Sequence, residues 1–174
     1  MKKLRGFTLI ELIVVIAIIA VLTAIIVPTM MSYTAKSKIA SKNAEAKQFA
    51  TNIIAVLAEL DKESYIVDGV VAGKADEIEV FEIDISPDYT GDVDIEDRFK
   101  EVPKNFIVNE INWAFKMDGG NVVAVVCGDR NLNYVGGYPI LCPVDIKYSA
   151  LGKGSIEDYL VYAETSEEKW PSKK

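Results

Sequence analysis

From Phe7 to Met31 the chain runs for twenty-five residues with one charged side chain, Glu11, and one proline, Pro28. Nearly every other charge lies at Lys36 or beyond, apart from Lys2, Lys3 and Arg5 just ahead of the run. As a helix rising 1.5 Å per residue, the segment reaches roughly 37 Å, enough to cross a hydrocarbon layer of about 30 Å with some tilt. The basic residues at the start are expected to hold that end in the cytoplasm, so that everything after Met31 faces outward. A secretory signal peptide is the alternative, but its apolar stretch is about 7–15 residues, and cutting at Ala17, Ala20 or Ala24 would leave a long apolar terminus.

Chemistry is narrowed by what the 174 residues lack. There is no histidine, which excludes His-dependent triads, His-bearing zinc sites and imidazole acid–base catalysis. With 19 basic against 26 acidic side chains the net charge is −7, unsuited to nucleic acid as a main partner. Paired carboxylates could in principle support hydrolysis, but no pocket motif accompanies them. No cofactor motif is visible, and the chain is read as a non-enzyme without a metal centre.

Glu11 is the anomaly. A carboxylate near the start of a lipid-buried helix costs a few kcal/mol and is normally paired. Lys2, Lys3 and Arg5 could snorkel toward it, making it an ordinary interfacial residue. A second cation arises if the chain is cut after Gly6, for Phe7 then carries a free amine about one helical turn from Glu11.

The stretch KKLRGFTLIELIVVIAIIAVLTAIIVP resembles the leader and N-terminal helix of type IV pilins and of type II secretion pseudopilins. The likeness lies in a short basic leader ending in Gly6, Phe7 at the first mature position, Glu11 at the fifth and Pro28 at the twenty-second. It extends to about residue 60. The resemblance implies cleavage between Gly6 and Phe7 by prepilin peptidase, N-methylation of Phe7, and pairing of Glu11 with the Phe7 amine of a neighbouring subunit. Loss of residues 1–6 would take the net charge from −7 to −10. The implied partners are other copies of the chain and other pilins, the peptidase, the assembly platform and its motor. The membrane would hold the subunit before assembly and an extracellular filament after it. Pilus and pseudopilus share these residues, and an extracellular enzyme or binding protein using the span only as an anchor is the remaining alternative.

Physical reasoning supports the same residues. A buried amine and a buried carboxylate are each costly alone and tolerable together, so the pair would fix the register between helices more than it stabilises them. Pro28 removes one backbone hydrogen bond and crowds the preceding turn, which predicts a kink or loosening near Ala24. The other reading is a helix end at Pro28.

No glycine occurs between Gly6 and Gly69. Ile39, Ala46, Phe49, Ala50, Ile53, Leu57 and Leu60 recur at helical spacing, which predicts one helix from Phe7 to about Lys62 with an apolar face. Beyond Gly69 the predicted strands are Glu77–Ile85, Phe106–Met117, Asn121–Cys127 and Cys142–Tyr148, with a hairpin at Met117–Asn121 and a loop at Gly136–Pro139. The expected fold is α+β: a leader at 1–6, a transmembrane and assembly helix at 7–31, and an outward head at 32–174 whose antiparallel sheet packs on Phe49, Ile53 and Leu57. Glu164–Lys174 reads as a polar tail with Trp170 docking. Cys127 and Cys142, on the oxidising side, are expected to pair. Asp88, Asp92, Asp94, Glu96 and Asp97 read as an acidic solvated loop; calcium is the alternative, although their spacing does not fit an EF-hand.

Overall fold

The computed structural model describes residues 7–75, 77–87, 95–106, 111–144, 154–164 and 170. The long helical periodicity yields α1, Leu9–Lys62, a single element of 54 residues with Pro28 in its interior. From Phe7 to Thr34 every side chain is exposed, whereas from Ile39 onward one face is buried. Residues 1–36 and 37–174 form separate compact units, the second being the head.

In the head follow β1 (Ile66–Lys74), β2 (Glu77–Ser86), α2 (Ile95–Phe106), β3 (Asn112–Asp118), β4 (Asn121–Gly128), β5 (Val135–Tyr138), and a 3₁₀ turn at Ile156–Tyr159 running into α3 (Leu160–Glu164). The strands form one antiparallel sheet in the order β2-β1-β3-β4-β5. Strand alternation sorts the core into two layers. Trp113, Phe115, Met117, Val125 and Cys127 meet Phe49, Ile53 and Leu57 of α1 and Ile95 and Phe99 of α2. Ala114, Ala124 and Val126 meet Tyr159, Leu160, Ala163 and Trp170. The α+β expectation holds, including the sheet packed on Phe49, Ile53 and Leu57, and Trp170 is docked and buried.

Four expectations need correction. β1 was not expected because Gly69 and Gly73 look like separators; both lie within the strand, and Gly69, at φ +125, abuts the Glu82 backbone where a side chain would not fit. The predicted strand Phe106–Met117 begins only at Asn112, since Ile95–Phe106 is helical, with Ile95, Phe99 and Val102 buried at steps of four and three. The predicted strand from Cys142 is not one: Cys142–Val144 are irregular, and 145–148 lie outside the described residues. Cys127 and Cys142 are free thiols, not a bridged pair. Cys127 belongs to the layer facing the long helices and Cys142 to the layer of α3 and Trp170. Burial pushes the Cys142 thiol up to about 12, and burial, reinforced by the Glu45 carboxylate, raises Cys127 as well.

Asn43, buried on α1, ties the helix to β5 and to the chain just beyond it. Its Oδ1 accepts from the backbone N–H of Gly137 (3.0 Å) and of Cys142 (2.9 Å), and its Nδ2 donates to the Cys142 carbonyl (2.8 Å).

Candidate functional site: the N-terminal helix

Leu9 is the first helical residue, which makes Thr8 the N-cap and Glu11 the third position of the first turn. The Thr8 N–H donates to Glu11 Oε2 at 2.9 Å, and the Glu11 N–H donates to Thr8 Oγ1 at 3.3 Å. This is a reciprocal capping box, which satisfies two backbone donors that a helix start leaves open. The Thr8 hydroxyl also donates to Glu11 Oε2, at 2.7 Å. The Glu11 carboxylate therefore has partners within its own chain. All of them lie beyond Gly6, so cleavage at that point would leave the cap intact.

The T-x-x-E spacing at 8–11 is the sequence signal for this cap. It is easily overlooked when Glu11 is treated only as an acid in need of a cation. Phe7, expected to carry the amine, is exposed and adjoins Ile10, Glu11, Val14 and Val15 around a shallow apolar groove. Gly6 lies outside the described residues, as do Lys2, Lys3 and Arg5, the proposed snorkelling partners.

Further along, Pro28 sits inside α1 rather than at its end, which removes the reading of Pro28 as a helix terminus. The Thr23 hydroxyl donates to the Ile19 carbonyl at 2.7 Å and the Thr29 hydroxyl to the Ile26 carbonyl at 2.8 Å. Such back-bonding lets hydroxyls sit in an apolar helix without an unmet donor and commonly accompanies bending. Since Pro28 has no N–H, the Ala24 carbonyl loses its helical donor. The missing backbone bond at Pro28 thus falls within two turns that also hold the back-bonded Thr23 and Thr29. α1 is long and apolar enough to cross a membrane, with Glu11 as the only charge among residues 7–31.

Other candidate residues are dispersed. Asp97 lies on α2 and pairs with Lys100 at 3.2 Å, while Asp88, Asp92 and Asp94 are outside the described residues. Glu96 is on α2 as well. Among the described residues no group of three His, Cys, Asp or Glu side chains is placed to hold a metal ion.

Residues 1–27 match the family described as the prokaryotic N-terminal methylation motif. The chain is 40% identical over 75 residues to a type IV major fimbrial protein FimA of Dichelobacter nodosus, covering 42% of each chain. The N-terminal part of the chain is similar to that of type IV fimbrial proteins. A second FimA of Dichelobacter nodosus is 46% identical over 54 residues, covering 30% of this chain and 35% of its own. A fimbrial protein of Pseudomonas aeruginosa is 43% identical over 51 residues, covering 29% and 33%. The chain thus spans less than half the length of these relatives. No solved structure matches it.

Proposed function

We propose that this chain is a structural subunit of a type IV pilus, cut after Gly6 by prepilin peptidase, N-methylated at Phe7, and polymerised through residues 7–31. The observation that carries the reading is the exposed apolar surface of α1 from Phe7 to Met31, a length of helix that in water demands either lipid or other helices. Lipid satisfies it while the subunit waits in the membrane with its head outside; a bundle of equivalent helices satisfies it in a filament. The names of the relatives favour a fimbrial filament over a secretion pseudopilus.

Within such a bundle Glu11 takes on its second partner. Its Oε2 already accepts two hydrogen bonds from Thr8, and a carboxylate has lone pairs to spare. The Phe7 amine of an adjoining subunit would add charge to charge where water is excluded. Each ion would be costly without the other, so a helix displaced along its neighbour loses the pair and the register is enforced. Pro28 supplies the local compliance for the change from bilayer to filament. The head contributes no chemistry in this reading: it is a non-enzymatic coat carried outward by the helix.

The experiment is Glu11→Ala in cells that make filaments. Sheared filament yield is expected to fall to background while the processed subunit accumulates in the membrane. Yield within twofold of wild type would overturn the reading.

A further inference from the structure

The apolar length of α1 carries a polar marker at each end. Among residues 7–36 the charges are Glu11 and Lys36, and the aromatic side chains are Phe7 and Tyr33. The threonine hydroxyls in between are turned onto the helix itself: Thr23 donates to the Ile19 carbonyl at 2.7 Å and Thr29 to the Ile26 carbonyl at 2.8 Å, so neither brings an unmet donor to lipid. Thr34 likewise donates to the Met30 carbonyl at 2.8 Å. Tyr33 does the opposite. Its side chain is 72% exposed, and its hydroxyl, at the tip of a rigid ring, makes no hydrogen bond among the described residues. Hydrocarbon would leave that hydroxyl unmet and open water would leave the ring exposed; the headgroup layer of a bilayer suits both ends of the side chain.

Distance decides where the bilayer lies along the helix. From Glu11 to Tyr33 the chain rises about 33 Å at 1.5 Å per residue, against a hydrocarbon layer of about 30 Å. A tilt of about 25° closes the difference and is ordinary for a membrane helix. Both residues then reach the two boundaries together, with the midplane at Leu22. Centring the span on residues 7–31 instead would put the midplane at Ile19. Glu11 would then stand about 12 Å from it, inside hydrocarbon where a carboxylate is costly, and Tyr33 about 21 Å from it, beyond the hydrocarbon edge. The first placement removes both mismatches at once.

We propose that, while the subunit waits in the membrane, Tyr33 is seated in the headgroup layer on the outward side and Glu11 in the layer on the cytoplasmic side, with the bilayer midplane at Leu22. The partner is a phospholipid surface, met by the apolar face of the ring and by the hydroxyl through headgroup oxygens. The charged start of the helix therefore stays in contact with water until helices meet. Pro28 lies about 9 Å from Leu22 toward the outward side, so the missing backbone bond falls in the outward leaflet. The inference rests on the membrane-held subunit of the reading above and adds its depth.

The test uses the full chain in phosphatidylcholine vesicles whose acyl chains are brominated at graded depths, because bromine quenches indole emission at short range. The wild-type chain, with Trp113 and Trp170 buried in the head, supplies the background to subtract. Ile19→Trp, Leu22→Trp and Tyr33→Trp are compared one at a time; the first two keep Tyr33 in place. The deepest bromines are expected to quench Leu22→Trp most strongly, with Ile19→Trp about 4 Å from the midplane. Tyr33→Trp is expected about 15 Å from the midplane, quenched best by the shallowest bromines. A midplane at Ile19, or a Tyr33→Trp indole not quenched best by the shallowest bromines, overturns the placement and leaves the membrane span standing. If Ile19→Trp and Leu22→Trp both escape quenching, the helix does not cross the bilayer and the reading above falls with it.

Discussion

Replacing Asn43 by alanine tests how the head is held to its helix. The side chain makes three hydrogen bonds, two accepted from Gly137 and Cys142 and one donated to Cys142, all buried. Each bond contributes about 1 kcal/mol net, while each buried group left without a partner costs about 1–3 kcal/mol. Some of the stranded backbone groups would be reached by water once the side chain is gone, so a total near 3 kcal/mol is expected. At about 3 °C per kcal/mol for a domain of this size, the midpoint of thermal unfolding should drop by roughly 9 °C. The assay is near-ultraviolet circular dichroism of the full chain in detergent, where the buried Trp113 reports tertiary packing. Asn43→Leu separates hydrogen bonding from packing, because it keeps side-chain volume yet strands the same three groups. Both variants should be destabilised to within about 1 kcal/mol of each other. If Asn43→Leu unfolds at the wild-type temperature, the three bonds do not hold the segment and the reasoning is refuted.

The thiols give a prediction in pH. The folded-state value of Cys142 is near 12 and that of Cys127 is also raised, against an ordinary value of 9.0, so the unfolded chain releases these protons first. Stability is therefore full below pH 9 and declines as pH rises toward the folded-state values, by up to about 1.4 kcal/mol per pH unit per thiol. Urea titrations between pH 9 and 10.5 should show a shallower decline in the Cys127→Ala, Cys142→Ala double variant; equal slopes would contradict the burial. Thiol counting on non-reduced protein should find two free thiols in denaturant and almost none under native conditions, and a disulfide would give none in either. At the other end of the chain, Thr8→Ala should loosen the first turn of α1 by about 1 kcal/mol while Thr8→Ser leaves it largely intact, read as amide hydrogen exchange of Leu9 to Glu11 in micelles.

Most of the fold that depends on periodicity was legible in the amino-acid order. The seven apolar positions from Ile39 to Leu60 and the glycine-free stretch before Gly69 specify α1 with its buried face, β2 and β4 alternate or β-branch cleanly, and Gly119-Gly120, both at positive φ, turn β3 into β4. What escaped was decided by neighbours. β1 depends on two glycines that are tolerated because Glu82 backbone and the Trp113 ring press against them. α2 shows helical spacing at Ile95, Phe99 and Val102, masked by the acidic residues interleaved with them. The cysteine pairing failed because spacing along the chain does not reveal which core layer a thiol enters. In the N-terminal helix, Glu11 stood out by its charge alone, whereas its bonds to Thr8 followed from the ordinary rule for starting a helix.

The central claim is that residues 1–6 are removed so that Phe7 becomes the charged start of an assembling helix. Filaments sheared from cells, analysed by N-terminal sequencing and intact mass, should begin at Phe7 and carry one added methyl group. Filaments that begin at Met1 would contradict it.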